Sequence, residues 1–357
     1  MSFLPRTAFP AQSSLPRSYF LGHHKAGLQK MKTLLSSIDL VIECRDYRVP
    51  LTSRNPLFEK SLEGKERLVV YTKRDLGLGG REGKVQEDIV SIWHHPTTTL
   101  FTSNTEKGSI RKLLDYVREH AQKQYKLVGH RLLVVGMPNV GKSTLLNALR
   151  AQGIGKGKVA QTGAQPGVTR KVGSGVKIIP SEDDDAQLAG QEEGSGVKRQ
   201  GVGGGVYLLD TPGVFIPYVP DAEAMLKLAL CGSVKDTIIP PVLLADYLLY
   251  QINLQAPSIY AAYCPPTNEI TVLLASIAHS TGRLMKGGQP DLEACALWMI
   301  QRWRTGHLGK FMLDVVNRDA AARQALEEQE MSPSISQARK MKKEAWRQKA
   351  WGRANKK

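Results

Sequence analysis

The chain has 357 residues, enough for two or three domains and a sizeable buried core. Its formal net charge of +16 points to a polyanion partner, either nucleic acid or an anionic membrane surface, unless it simply makes a soluble basic protein. The four cysteines (Cys44, Cys231, Cys264 and Cys295) lie far apart without zinc or redox spacing, which predicts free thiols in a reducing compartment. No apolar run approaches the ~20 residues of a membrane span, so any membrane contact is expected to be peripheral, without a transmembrane segment.

Residues 1–20 hold Arg6, Arg17, several serines and three prolines but no acid, and the first carboxylate is Asp39. Such a start is expected to be a mitochondrial targeting segment. Pro5, Pro10 and Pro16 argue against a long amphipathic helix there, and a tail without an address is the alternative. His23-His24-Lys25-Ala26 then opens a basic, helix-like segment reaching residue 36. Residues 39–44 predict a short strand that Arg45-Asp46-Tyr47-Arg48-Val49-Pro50 leaves as a loop. Residues 68–71 predict a second buried strand ending in Thr72-Lys73-Arg74-Asp75. Leu100-Phe101 predict a third, ending in Thr102-Ser103-Asn104. A helix expected over residues 110–124 leads to an apolar run at 132–135. Strands separated by helical segments, with polar motifs at their ends, predict a parallel α/β sheet with ligands beyond the carboxyl ends of the strands.

Residues 136–144 read Gly-Met-Pro-Asn-Val-Gly-Lys-Ser-Thr, the phosphate-loop pattern G-x-x-x-x-G-K-[ST]. A predicted strand precedes it and helical character follows over residues 145–150, the context in which the pattern means phosphate binding. Gly136 and Gly141 let the backbone bend so that N–H groups point inward, Lys142 adds a point charge on the β and γ phosphates, and Ser143 offers a hydroxyl to Mg²⁺. Further on, residues 152–170 are rich in Gly, Lys and Thr. Residues 181–205 combine the acidic run 182–185 with repeated glycines and are expected to be a disordered insertion. A strand over residues 206–209 runs into Asp210-Thr211-Pro212-Gly213. From Asp221 the pattern is helical, with apolar stretches at 241–252 and 269–277 and a helix expected over 294–316. Pro240-Pro241 and Pro265-Pro266 mark turns. The tail from Gln337 is dense in Lys and Arg with Trp346 and Trp351 interleaved. It reads either as a solvated charge run or as an rRNA contact with two stacking tryptophans.

Three motifs together are more specific than the phosphate loop alone. Asp210-x-x-Gly213 at a strand end supplies a carboxylate near Mg²⁺ and a backbone N–H that can sense a γ-phosphate. Thr72-Lys73-Arg74-Asp75 resembles the base-recognition motif of GTPases, usually Asn-Lys-x-Asp. A carboxylate at Asp75 can accept from guanine N1–H and N2–H₂ together, and the Lys73 stem can cover the base. Base recognition here precedes Thr102-Ser103, the phosphate loop, Thr169 and Asp210 to Gly213, whereas in ordinary GTPases the phosphate loop comes first. The order resembles a circularly permuted GTPase. Phe20-Leu21-Gly22-His23, the words Asp46-Tyr47-Arg48-Val49-Pro50-Leu51-Thr52-Ser53-Arg54-Asn55-Pro56 and Pro166-Gly167-Val168-Thr169, and Gly282-Arg283-Leu284-Met285-Lys286-Gly287-Gly288 are similar to the YlqF-type ribosome-assembly GTPases. With the N-terminal segment, the mitochondrial branch of that family is indicated.

The resemblance implies an α/β fold: a circularly permuted P-loop GTPase domain with a mostly parallel sheet over residues 21–220, followed by a small all-α RNA-binding domain over 221–330 and a basic tail over 331–357. It implies GTP hydrolysis coupled to maturation of the mitochondrial large ribosomal subunit in the matrix, by a monomer that contacts rRNA, with peripheral inner-membrane association as a rival reading. The nucleotide is expected to meet Thr72, Lys73, Arg74, Asp75, Thr102, Ser103, Asn139, Val140, Gly141, Lys142, Ser143, Thr144 and Gly213. Mg²⁺ is expected at Ser143, Thr169 and Asp210, and K⁺ at Asn139. Val214 follows Gly213 where many GTPases place a water-orienting Gln, so hydrolysis needs other help. Lys142 and Thr169 are expected to act in catalysis with His23, which matches the family's proposed catalytic histidine; a loop or RNA-contacting histidine is the other reading of His23. Thr72 departs from the usual Asn, with fewer donors to contact the base and brace the phosphate loop. Thr102-Ser103-Asn104 departs from the usual Ser-Ala pair.

Overall fold

The computed structural model describes residues 3–10, 35–103, 105–156, 175–184, 201–210 and 219–330. Its centre is one six-stranded sheet, made of β1 (Leu40–Asp46), β2 (Arg67–Thr72), β3 (Thr99–Phe101), β4 (His130–Gly136), β5 (Val176–Ile179) and β6 (Val206–Asp210). The order is β3-β2-β1-β4-β6-β5. All neighbours run parallel except β5, which is antiparallel to β6. Every residue of β1 is buried, as expected for a parallel strand covered on both faces. The connecting helices are α1 (Pro56–Ser61), α2 (Gly80–His94), α3 (Lys107–Lys123) and α4 (Lys142–Ile154).

The helical region contains α5 (Ala222–Leu230), α6 (Pro241–Gln255), α7 (Ile270–Thr281), α8 (Leu292–Arg304) and α9 (Ala320–Glu330). Asp221 and Asp291 cap α5 and α8 by accepting from the backbone N–H groups of Ala224 (2.7 Å) and Ala294 (2.9 Å). Pro241 opens α6, where a missing N–H costs nothing. Among the described residues, no helix is long and apolar enough to cross a membrane. All four cysteines are buried and unpaired with one another.

The structure corrects several sequence expectations. β1 continues through Arg45 and Asp46 instead of ending at Cys44. Those charges tolerate burial because Glu43 accepts from Arg45 Nε (2.7 Å) and Asp46 pairs with Arg48 (2.8 Å). Helix α2 and strand β5 have too few buried apolar positions to show a period in the sequence. The ends of the segment expected to be a disordered insertion, residues 181–184 and 201–205, form a hydrogen-bonded neck. Val202 N–H donates to Pro180 O (3.2 Å) and Glu182 N–H to Gly203 O (3.0 Å). Its middle lies outside the described residues, as do residues 11–34 and the basic tail.

The helix expected over 294–316 stops at Arg304. Gly306 takes φ 78°, a left-handed value that favours glycine, and its N–H donates to Trp303 O (3.0 Å). The chain then returns to the sheet. Leu313 N–H donates to Arg48 O at 2.8 Å. Asp314 accepts from the backbone N–H groups of Leu51 (2.9 Å) and Thr52 (2.8 Å) and pairs with Lys227 of α5 (3.3 Å). Residues 3–10, within the segment expected to carry an address, pack on α6: Arg6 pairs with Asp246 at 2.7 Å and Phe9 meets Tyr247 edge-on.

Candidate functional site

Strand register assembles the site. Asp46 lies opposite Thr72, Cys44 opposite Gly136, and Val134 opposite Asp210. The carboxyl ends of β2, β1, β4 and β6 therefore stand side by side, where open α/β sheets hold their ligands.

The phosphate loop leaves β4 at Gly136, with φ 145°; a side chain there would place Cβ 2.3 Å from Cys44 O, which only glycine avoids. Asn139 also takes a left-handed backbone (φ 57°), and Gly141 N-caps α4. Lys142, 7% exposed, folds back so that its ammonium donates to Met137 O at 2.8 Å and lies over the loop. Ser143 and Thr144 follow in the first turn of α4, half-buried, where inward-pointing N–H groups and the helix dipole favour an anion. Val140 is buried and supplies backbone to the loop.

The Thr72 to Asp75 turn sits against this loop. The Thr72 hydroxyl donates to Val140 O, with Arg45 O 3.1 Å away, so the threonine braces the phosphate loop. Lys73 Nζ donates to Asn139 O (2.7 Å) and pairs with Asp46 (2.9 Å), which stretches its stem between β1 and the loop. Asp75 lies half-buried in a single helical turn, Arg74–Leu76. The Arg74 side chain turns away to Glu87 and Glu106, leaving only its backbone to the site, where Arg74 N–H donates to Thr102 O at 3.1 Å. That bond draws Thr102 and Ser103 beside the turn. The Ser103 hydroxyl is taken up by Thr105, both by the backbone N–H (3.1 Å) and by the hydroxyl (2.7 Å), and Ser109 Oγ donates to Ser103 O (3.2 Å).

Ser143 and Asp210 are hard oxygen donors on neighbouring elements, a chemistry that suits Mg²⁺. Held there, Mg²⁺ would neutralise charge on a bound nucleotide's phosphates. His23, Thr169 and Gly213 lie outside the described residues.

Two features of the site carry no assigned role in the sequence reading. The first is a buried ion cluster: Asp46 and Arg48 are each 1% exposed, joined by Arg48 Nε (2.9 Å) and Nη2 (2.8 Å) to the carboxylate. Burial by itself would raise the Asp46 pKa, but Arg48 and Lys73 outweigh it and hold the carboxyl well below the usual range. Burial disfavours the Arg48 charge too, and Asp46 more than restores it. Arg48 lies over the Trp303 ring of α8, 4.6 Å from its centroid, and burial beside it pushes the Cys231 thiol up to about 12. The second is a clamp from the helical region on the phosphate loop: Asn139 Nδ2 donates to Gly232 O (2.9 Å) and Ser233 Oγ to Pro138 O (3.1 Å). The words Asp46-Tyr47-Arg48 were visible in the sequence as family words, but nothing there ties their charges to Lys73 or to Trp303.

Residues 131–255 match the family described as 50S ribosome-binding GTPase. That span begins at the phosphate-loop strand and leaves the Thr72 to Asp75 turn upstream. Mitochondrial GTPase 1 of Schizosaccharomyces pombe is 34% identical over 337 residues, covering 89% of this chain and 95% of that one. The chain belongs to the mitochondrial GTPase 1 family. Mitochondrial ribosome-associated GTPase 1 of Mus musculus is likewise 34% identical, over 87% of this chain and 93% of that one. Among solved structures, YlqF from T. maritima superposes with a TM-score of 0.52 at 21% identity, covering 81% of this chain and 98% of that one, which establishes the fold. The family is one of circularly permuted GTPases and its reaction is hydrolysis of GTP to GDP and phosphate. In this chain the phosphate loop runs into the N-terminus of α4, and the Thr72 to Asp75 turn lies against that loop through Thr72 and Lys73.

Proposed function

We propose that the protein is a GTP-driven assembly factor for the large ribosomal subunit of mitochondria, working in the matrix as a monomer. The carrying observation is the pairing of a permuted guanine-nucleotide site with helical-region contacts on its phosphate loop, at Gly232 and Ser233. Relatives named mitochondrial ribosome-associated GTPase 1 supply the organelle and the ribosome. The acid-poor first twenty residues supply the address. Residues 221–330 and the basic tail bind rRNA, since a chain of net charge +16 gains affinity by releasing counterions from phosphates.

In this reading Asp75 selects guanine and Lys142 binds the β and γ phosphates. Ser143, Thr169 and Asp210 hold Mg²⁺, and K⁺ sits near Asn139. Gly213 senses the γ-phosphate, Thr169 acts in catalysis, and His23 orients the attacking water, since Val214 stands where many GTPases place a glutamine. The segment after Gly213 leads straight into α5, so loss of the γ-phosphate moves the helical region without a long relay.

The test is co-sedimentation with mitochondrial large subunits. The protein held with a non-hydrolysable GTP analogue should pellet with them and the GDP form should not; equal pelleting removes the switch. RNA affinity across a salt series should fall less steeply once residues 337–357 are removed, and parallel slopes would leave the tail a solvated charge run. Val214 favours one second reading, a nucleotide-gated RNA-binding placeholder that hardly turns over. Stimulation of hydrolysis by large subunits and K⁺ separates the two. A peripheral inner-membrane GTPase would instead float with anionic liposomes in preference to binding rRNA.

A further inference from the structure

We propose that Asp46 is a positioning residue of the nucleotide site, holding the Lys73 ammonium against the phosphate loop and tying it through Arg48 to the helical region. The proposal rests on the guanine-nucleotide reading of the Thr72 to Asp75 turn. Asp46 is the last residue of β1 and lies opposite Thr72, the last of β2, so its carboxylate emerges beside the base-recognition turn. Oδ2 accepts from Lys73 Nζ (2.9 Å) and Arg48 Nη2 (2.8 Å). Oδ1 accepts from Arg48 Nε (2.9 Å) and the Arg48 backbone N–H (3.0 Å). Lys73 spends a second ammonium proton on Asn139 O at 2.7 Å.

The lysine stem is thereby stretched across the surface a purine would cover. A lysine on a flexible stem would otherwise be ordered only when the ligand binds, and that cost would subtract from affinity. A buried Asp–Arg pair is seldom more stable than an apolar replacement of similar shape, so stability alone does not account for keeping it here. The third partner, Lys73, is the member of the cluster that reaches solvent, with a side chain 22% exposed. Arg48 extends the cluster to the helical region by its contact with Trp303 and by accepting from Leu313 N–H at 2.8 Å. One carboxylate therefore holds both the base-side lysine and the docking arginine.

The experiment uses the full chain and measures GDP and GTP affinity by calorimetry for three variants: Lys73→Met, the pair Asp46→Asn with Arg48→Met, and all three together. The pair removes both buried charges at once, so no lone charge is left in the core, and methionine keeps a contact for Trp303. Lys73→Met and the pair should each weaken GDP and GTP alike by about tenfold, because the change lies on the base side. The triple variant should bind no worse than Lys73→Met alone. If the pair weakens binding equally with and without Lys73, or leaves affinity unchanged, Asp46 does not act through the lysine. If Lys73→Met and Asp75→Asn both bind normally, the base-site reading itself fails. Should the pair not fold, Asp46→Glu moves the charge by one methylene and is read by the same cycle: a loss that disappears in the Lys73→Met background supports the proposal, and a loss that persists there overturns it.

Discussion

The sheet domain and the helical region share one apolar core but differ in the charges buried beside it. In the sheet domain, Glu43, Arg45, Asp46, Arg48, Glu87 and Lys142 are all buried. In the helical region the core is Leu244, Leu248, Leu249, Leu273, Leu274, Ile277, Met299 and Ile300. Among the described residues from 221 onward, the one buried charged side chain is Asp314, and it binds back onto the loop after β1. An apolar core needs only volume and pattern, whereas a charged interior must satisfy every ion. The contrast shows where this chain carries its ionic constraints: in and around the strands that lead to the phosphate loop, and at the seam with the helical region.

The largest expected break falls on the ligand side. Lys142→Ala removes the buried ammonium over the phosphate loop and should weaken GTP by at least about 100-fold in calorimetry. Near-normal affinity would mean the loop is not the phosphate site. The helical region's core should stay intact in this variant.

Acid should separate the two regions. Burial alone would raise the Glu59 pKa, but the Arg54 hydrogen bond and the Arg45 charge bring it from 4.5 down to about 2. Burial, with Arg45 and Arg67 nearby, lowers His94 from 6.5 to about 3, so it stays neutral beside the Tyr71 hydroxyl at 2.9 Å. Both groups bind protons more readily unfolded than folded. Their stabilisation is complete above the unfolded values and drains away as pH falls towards about 2–3, roughly 3 kcal/mol for Glu59. Hydrogen exchange followed from pH 7 to pH 4 should show β1, α1 and α2 losing protection before α6, α7 and α8. Simultaneous loss would show that the two regions unfold as one unit.

Asp75→Asn tests the base side. It should weaken GTP by about tenfold and relax the preference for GTP over ATP, because the paired acceptor for N1–H and N2–H₂ is gone. Full discrimination in that variant would move guanine recognition elsewhere. The smallest effect is expected on the helical surface. Asp246→Asn breaks a partly exposed pair with Arg6 and should cost about 1 kcal/mol or less in thermal unfolding, with nucleotide affinity unchanged.

Local sequence carried the phosphate loop, because glycines, lysine and serine at fixed spacing between a strand and a helix already define its chemistry. It also carried the permuted order, since order is itself a property of the chain. The strands β1, β2, β4 and β6 were legible as short apolar runs, within two residues at their ends. Tertiary structure alone decided which strand ends meet, through a sheet order that sequence neighbours do not reveal. It decided that Thr72 braces Val140, that Arg74 leaves the site for Glu87, and that residues 311–314 return to β1. Above all it decided that Asp46 and Arg48 are buried. In the sequence they read as a polar loop. Whether a charge can sit inside a protein depends on partners far away along the chain, here Lys73 and Trp303, and no local pattern encodes those distances.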